Sequence, residues 1–211
     1  MQLKNKIMKK INLILLLFIS IIGCNAQTHT VDITEQGTVS DLNYIPYGYY
    51  YKDINFVLNP FVGTYVYTDG NTSLKIIFQK KEMSSARGLY NQDLLIGEYQ
   101  YIKDGVEKVN TLDRLNQNFA DGVHYSIDGN SVIEYGDAGC GECGVDEKAL
   151  RLGMVDRASD NVALLYVRRT TVGGQPAIKI FIWWQLKGVS DFANLIPASV
   201  PGNREFVLIK Q

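Results

Sequence analysis

From residue 61 onward, the chain is a series of short segments in which apolar and polar residues alternate. In "TSLKIIFQKK", for example, Leu74, Ile76 and Phe78 alternate with polar positions. This period of two, with many β-branched and aromatic residues, indicates strands rather than helices. Turn residues separate the segments: DGN at 69–71, KDG at 103–105, DGN at 128–130, SDN at 159–161 and a glycine pair at 173–174. The sequence therefore predicts about ten strands joined mostly by hairpins, in an all-β antiparallel domain.

The segment "AIKIFIWWQL", residues 177–186, carries large side chains on both faces of its predicted strand. Such a strand is covered on each side, as in a barrel or a sandwich. Near the C-terminus, Ser190 is a suitable N-cap for one short helix, "DFANLI", which Pro197 would end. We expect a single antiparallel β-barrel over residues 61–211, with a β-sandwich as the alternative.

The N-terminus has the composition of a secretion signal. Residues 1–10 contain four lysines and no acid, and an apolar run follows from Ile11 to Ile22. A membrane-spanning helix needs about 20 apolar residues, so this run is too short to be one. Ile22-Gly23-Cys24 resembles a bacterial lipobox, which predicts a lipoprotein signal peptide over 1–23 and a lipid on Cys24 that attaches the protein to a membrane. Cleavage after Ala26 is the alternative, and either processing exports the protein.

Two segments separate the signal from the strands. Residues 24–43 are polar, which predicts a flexible tether. Residues 44–60 form a tyrosine-rich lead-in segment, whose rings would cover the domain or, alternatively, form an exposed binding surface.

The charge of the exported chain argues against nucleic acid as a partner. Four of the 21 basic residues lie in residues 1–23, which hold no acid, so 17 basic and 22 acidic residues remain. No run rich in lysine and arginine is available to neutralise a phosphate backbone.

The stretch "GDAGCGECGVDEK", residues 136–148, contains Cys140 and Cys143 in a C-x-x-C spacing. A thioredoxin-type centre requires this motif at a helix N-terminus within a βαβ pattern, and the chain shows no such pattern. A structural zinc site requires four ligands, and no second C-x-x-C exists, so we expect no metal and no cofactor. With Cys24 lipidated, an even pair remains in an oxidising compartment, which favours a disulfide. A redox-active pair and a metal site are the alternatives.

No catalytic motif of the hydrolase, metalloprotease or P-loop type occurs in the sequence. His124 is the one histidine of the predicted β domain, and a strand-end role suits it better than catalysis. Asp and Glu residues are scattered along the chain, so a glycan-acting enzyme with paired carboxylates is the third functional hypothesis. We expect no enzymatic activity.

Four aromatic residues are candidates for lining a ligand pocket: Tyr99, Tyr101, Trp183 and Trp184. The alternative is that these rings are ordinary core and surface residues of a β protein.

The start of the first predicted barrel strand, Phe61-Val62-Gly63-Thr64-Tyr65, resembles the opening F-x-G-x-W of lipocalins and fatty-acid-binding proteins, the calycin barrels. In those proteins the glycine allows a close chain approach and the aromatic ring closes the base of the barrel. Tyr65 stands where the family has tryptophan. The resemblance implies non-enzymatic binding of a small, mostly apolar ligand in the barrel. A cell-envelope interaction protein without a cavity is the second hypothesis.

The chain as a whole resembles a family of Bacteroidota lipoproteins of unknown function. The lipobox-like start, the lead-in "KDINFVLNPFVGTY", the hairpin "LIGEYQYIKDGVEKVNTL" and the late C-x-x-C carry this resemblance, which covers most of residues 8–180. It implies a lipoprotein of the cell envelope, anchored in the outer membrane on either its periplasmic or its outer surface.

Overall fold

The computed structural model describes residues 29–36, 47–185 and 197–211. The strands in these residues are β1 (His29–Asp32), β2 (Tyr49–Lys52), β3 (Gly63–Asp69), β4 (Thr72–Ala86), β5 (Tyr90–Lys103), β6 (Val106–Asn110), β7 (Ile127–Ile133), β8 (Ala149–Asp156), β9 (Asn161–Val172), β10 (Gln175–Gln185) and β11 (Glu205–Lys210). Short 3-10 helices occupy Ile33–Glu35, Asn59–Phe61 and Leu112–Gln117. The described residues contain no helix with the length and hydrophobicity of a membrane span.

Eight of the strands form a closed antiparallel barrel. Their order around the barrel is β3, β4, β5, β7, β8, β9, β10 and β11, and β11 pairs back with β3. Two short seams close this meander: β5 pairs with β7 over three residues, and β11 pairs with β3 at Ile209–Val66 and Lys210–Tyr65. The predicted all-β barrel is confirmed, and the sandwich alternative is wrong.

The long strand β5 pairs with other strands along both of its edges. One edge pairs with β4 along almost its whole length, with a register shift between Lys81 and Ser84. The other edge is divided among three strands: β2 pairs at 91–92, β7 at 95–97 and β6 at 100–103. Because β6 leaves this edge after four residues, β7 can take its place and close the barrel.

Side chains fill the interior of the barrel. An eight-stranded barrel is just wide enough for its inward-facing side chains to meet. The large buried residues of this core include Tyr65, Leu74, Ile76, Phe78, Tyr99, Tyr101, Leu152, Met154, Leu165, Ile180, Ile182, Phe206 and Leu208. Apolar burial on this scale is the main stabilising contribution to the fold.

Residues 29–36 differ from the predicted flexible tether. They form β1, which lies parallel to β2, and a 3-10 turn that begins after Asp32. The Asp32 carboxylate accepts a hydrogen bond from the Thr34 backbone at 2.8 Å, and Ile33 is buried in the core. One buried isoleucine and a capping aspartate thus order a segment whose composition is otherwise polar.

The tyrosine-rich segment is divided between the core and the surface. Tyr50 and Tyr51 of β2 are buried, while Tyr47 is exposed. Among the described residues of this segment, two rings therefore pack into the domain and at least one lies on its surface. The predicted signal peptide, Cys24, the remainder of the tether, residues 44–46 and the predicted helix after Ser190 lie outside the described residues.

Four predicted turns are confirmed, at 69–71, 103–105, 159–161 and 173–174, and each lies between or at the ends of consecutive strands. The predicted turn at 128–130 is wrong. Asp128, Gly129 and Asn130 lie inside β7, where the register with β8 shifts between Asp128 and Ser131. Gly129 has a φ of +150°, and the Asn130 amide donates to the Asp93 carbonyl at 3.0 Å. The sequence Asp-Gly-Asn is therefore compatible with an irregular strand as well as with a hairpin turn.

A buried carboxylate on β5 attaches the lead-in segment to the barrel. Asp93 accepts hydrogen bonds from the Tyr50 hydroxyl at 2.6 Å, the Asp53 backbone at 3.0 Å and the Met83 backbone at 3.1 Å. The neighbouring Asp53 carboxylate pairs with the Lys80 ammonium at 3.0 Å. These contacts join β2, the following loop, β4 and β5 through one polar cluster, in which the Asp93 carboxylate has three donors.

Replacing Asp93 with alanine should lower the free energy of unfolding by about 3 kcal/mol, because three donors lose their acceptor inside the protein. For a domain of this size, the thermal midpoint should fall by about 6–12 °C, as circular dichroism would measure. The control is the exposed Asp146, whose replacement with alanine should change the free energy by less than about 0.5 kcal/mol. Equal midpoints for the two variants would contradict the assigned role of Asp93.

Candidate functional site

The segment between β7 and β8, residues 134–148, folds back against the outer wall of the barrel; we call it the cysteine loop. Cys140 and Cys143 form the predicted disulfide within it. Both cysteines are buried in a small cluster with Ile133, Ala149 and Tyr166. The loop thus covers part of β9 with an apolar contact of its own, outside the main core.

The closest contact of the cysteine loop is made by Gly139 against Tyr166 of β9. A Cβ atom at position 139 would lie 2.1 Å from ring carbons of Tyr166, and the φ of Gly139 is +89°. Both the backbone conformation and the space require glycine at this position. The ring of Tyr166 is therefore covered by backbone rather than by a side chain.

Arg168, also on the outer face of β9, attaches the other half of the cysteine loop. Its guanidinium donates to both carboxylate oxygens of Glu147 at 3.1 Å and to the Glu142 carbonyl at 2.7 Å. The hydrogen bond from Arg168 lowers the pKa of the Glu147 carboxyl. A bidentate pair of this kind is one of the stronger side-chain contacts that proteins make.

A groove of about 400 Å³ lies between the cysteine loop and the outer face of β9 and β10. Tyr166 lies at its inner side, and Phe181 and Trp183 of β10 line it with 38% and 50% of their surfaces exposed. At its edge, the Lys179 ammonium pairs with the Glu205 carboxylate at 3.2 Å. The groove therefore combines three aromatic rings with paired charges. We call it the aromatic groove.

The four predicted pocket residues do not come together. Trp183 faces outward into the aromatic groove, whereas Tyr99 and Tyr101 are buried in the barrel core and Trp184 packs against that core. The Trp184 indole donates to the Val200 carbonyl at 2.9 Å. Burial raises the pKa of the Tyr99 phenol, whose hydroxyl donates to Asp156 at 3.4 Å. A shared pocket for these four rings is therefore wrong, because Trp183 and Trp184 are consecutive and point to opposite faces.

The three residues of the predicted F-x-G-x-Y motif lie at one end of the barrel. Phe61 and Tyr65 are almost fully buried. Gly63 has a φ of +144°, and a Cβ atom there would lie 2.5 Å from the Lys210 side chain, which crosses over it. The Lys210 ammonium lies 5.6 Å from the centre of the Tyr65 ring. The conformation of Gly63 and the space around it therefore require glycine, and Tyr65 closes this end of the core.

The titratable residues outside the aromatic groove include one close pair, His124 and Asp121. His124 is exposed, and its Nδ1 lies 2.5 Å from the Asp121 carboxylate. Burial raises the pKa of the nearby Asp128 carboxyl from 3.8 to about 6; Arg157 opposes this rise and Asp121 adds to it. Within the described ranges, no group of three or more His, Cys, Asp and Glu residues is arranged to hold a metal ion.

Sequence reasoning missed the aromatic groove because its walls are distant in the chain. Phe181 and Tyr166 received no prediction, although the alternation along each strand places both on an outer face. Where the cysteine loop would fold is a long-range property that its own composition does not specify. One local signal was available: Tyr166 and Arg168 are large residues on the face opposite the core positions 165 and 167.

A protein-family model described as "Family of unknown function (DUF6705)" matches residues 8–211 of the chain. No curated protein and no solved structure shows significant similarity to this chain.

Replacing Gly139 with alanine should destabilise the protein by about 2 kcal/mol, since the added methyl group overlaps the Tyr166 ring and strains the backbone. Gly141 provides the matched control in the same loop: a Cβ atom there meets nothing within 4 Å. Its replacement with alanine should leave the free energy of unfolding unchanged within about 0.5 kcal/mol, as urea denaturation would measure. Equal losses in the two variants would show that the loop does not pack on Tyr166.

Proposed function

Since the chain belongs to the DUF6705 family, whose function is unknown, we propose from its geometry that it is a non-enzymatic binding protein of the cell envelope. Its ligand is a small, mostly apolar molecule that binds in the aromatic groove. The observation that carries this proposal is the exposure of two large rings, Phe181 and Trp183, side by side on one face of β10 and opposite an ordered loop.

The barrel core supports this location over the interior. A calycin-type ligand would occupy the space that the buried residues fill, including the rings of Tyr65, Phe78, Tyr99 and Phe206. An eight-stranded barrel either holds one small ligand or is filled by its own side chains. In this chain buried side chains occupy the interior, which supports the outer wall as the proposed ligand site.

The aromatic groove has the properties that favour binding of an apolar ring or chain. Its volume of about 400 Å³ falls in the range of small-molecule sites. Half-exposed indole and phenyl rings release water when a ligand covers them, and they lose little side-chain entropy. The disulfide, the Gly139–Tyr166 contact and the Arg168–Glu147 pair hold the facing loop in place before a ligand arrives, which lowers the cost of binding.

The polar groups of the aromatic groove suit binding better than catalysis. Lys179 pairs with Glu205, and Arg168 pairs with Glu147, so each of these charges already has a partner. The exposed His124–Asp121 pair does not line the groove. Glu142 and Glu205 also line the groove, but Glu142 lies 3.7 Å from Arg168 and Glu205 lies 3.2 Å from Lys179. Because both carboxylates are already paired with cations, a glycan-acting enzyme has less support. A protein partner that covers Trp183 and Phe181 is the alternative occupant.

The N-terminal sequence supports a location in the cell envelope. We propose that residues 1–23 direct export, that a lipid on Cys24 anchors the protein in the outer membrane, and that the barrel lies close to this membrane. The disulfide supports an oxidising compartment outside the cytoplasm. β1 begins at His29, five residues after Cys24, so the fully extended chain between the proposed lipid and β1 can span at most about 18 Å.

The neutral fluorescent probe N-phenyl-1-naphthylamine should bind the full chain saturably at one site. Replacing Trp183 with alanine should weaken this binding at least about tenfold, because the largest exposed ring of the groove is removed. The matched control is Phe56, which is also exposed but lies in the loop after β2. Its replacement with alanine should leave the affinity unchanged.

An unchanged affinity in the Trp183 variant, or no saturable binding by the full chain, would overturn the small-ligand proposal. If the probe does not bind but a protein is cross-linked through position 183 in intact cells, the second hypothesis takes its place.

Lipidation should appear as incorporation of an alkynyl fatty-acid probe into the protein in growing cells. The Cys24→Ala variant should lose all of this label, since the thiol that accepts the lipid is gone. Gel fluorescence after coupling to a dye measures the incorporation. Label that persists in the variant, or its absence from the unmodified protein, would reject the anchor.

A further inference from the structure

Two consecutive arginines of β9 have different environments. Successive side chains of a strand point to opposite faces. Arg168 points outward and pairs with Glu147, whereas Arg169 lies on the same face as the core residues Leu165 and Val167, at the end of the barrel. Arg169 is exposed there.

Lys210 reaches the same end of the barrel from β11. Its side chain crosses Gly63, and its ammonium lies over the ring of Tyr65 at 5.6 Å. Arg169, Lys210 and Tyr65 line the same cavity. Burial raises the pKa of the Tyr65 phenol, and the charge of Arg169 opposes this rise. Both cations therefore act on one region around Tyr65.

Among the residues that the structure describes, neither cation has a carboxylate within 4.0 Å. In the ranges 29–36, 47–185 and 197–211, the ion pairs within 4.0 Å involve other basic residues and leave out Arg169 and Lys210. Arg168, Lys80, Lys148 and Lys179 each have a carboxylate. Two positive charges left unpaired at one place, in a chain with more acids than bases, repel each other and attract an anion.

A cavity of about 440 Å³ lies at this position. Its lining residues include Tyr65, Arg169, Thr170, Thr171, Pro176 and Lys210. The cations and threonine hydroxyls are hydrogen-bond donors, and the proline and tyrosine rings supply apolar wall. An oxyanion with a short apolar chain matches both halves of this lining.

We infer that this end of the barrel is an anion-binding site, separate from the aromatic groove, for the carboxylate or phosphate group of a small molecule. Arg169 supplies a planar guanidinium that can donate two parallel hydrogen bonds to the oxyanion. Lys210 supplies a second charge, and its stem is held between Gly63 and the Tyr65 ring. The Tyr65 ring forms the inner limit of the site, because it is buried and closes the core.

The test is isothermal titration calorimetry, in which the full chain, purified in detergent, is titrated separately with octanoate, octanol and inorganic phosphate. Octanoate should bind saturably, and octanol, which has the same chain length without the charge, should bind more weakly. Replacing Arg169 with glutamine should weaken octanoate binding at least about tenfold, since a hydrogen bond to a charged group is lost. The difference in octanoate affinity between this variant and the unmodified chain should become smaller as the salt concentration is raised.

The matched control is Lys103→Gln, which removes one positive charge at the opposite end of the barrel, where β5 ends. Its octanoate affinity should equal that of the unmodified chain. Lys210→Gln is a second variant of the site and should weaken binding as Arg169→Gln does. The thermal unfolding midpoint of each variant shows whether it is folded. Because the Arg169 side chain is exposed, replacing it should leave this midpoint unchanged.

Phosphate distinguishes the sources of the anion. If phosphate binds and depends on Arg169 while octanoate does not, the ligand is a phosphate compound rather than an acyl carboxylate. The inference is overturned if neither anion binds saturably, or if Arg169→Gln and Lys103→Gln bind octanoate equally. Binding of N-phenyl-1-naphthylamine should be the same in Arg169→Gln as in the unmodified chain, so the two sites can succeed or fail separately.

Discussion

The strand β5 is the constraint on which the rest of the barrel depends. Its edge opposite β4 accommodates β2, β7 and β6 in turn, so barrel closure, the lead-in segment and the extra hairpin all use backbone groups of one strand. The buried Asp93 carboxylate supplements these ladders by accepting from Tyr50 and from the backbone of β4. Because an unpaired strand edge invites association with other chains, this sharing also leaves little of β5 exposed.

Local patterns predicted the strands and most of their turns because a hairpin turn needs only a few residues of the right type. Gly70-Asn71 and Gly173-Gly174 lie between paired strands as expected. The turn expected at 128–130 was wrong because Gly129 serves an irregular strand instead, with Asn130 bound to the Asp93 carbonyl. That partner is 37 residues away in the chain, so no local pattern contains it.

The candidate sites were less predictable than the fold for the same reason. Alternation along β10 assigns Trp183 and Trp184 to opposite faces, but it does not show which face a distant loop will cover. The cysteine loop contacts β9 through Gly139 and Tyr166. The whole of β8 separates these two segments in the sequence, so neither segment alone predicts the contact. Likewise, the pairing of Arg168 depends on where Glu147 lies in the folded chain, which the sequence of β9 does not contain.

The disulfide explains how a glycine-rich loop can form a wall of the aromatic groove. Residues 134–148 include four glycines, which make an isolated loop flexible and its ordering costly. The ring that Cys140 and Cys143 close is small, so in the chain-entropy model it stabilises by only about 2 kcal/mol. That amount is minor beside the burial of the core, yet it acts on one loop. Together with the Arg168–Glu147 pair, it offsets the entropy that the glycines add where Gly139 must approach Tyr166 closely.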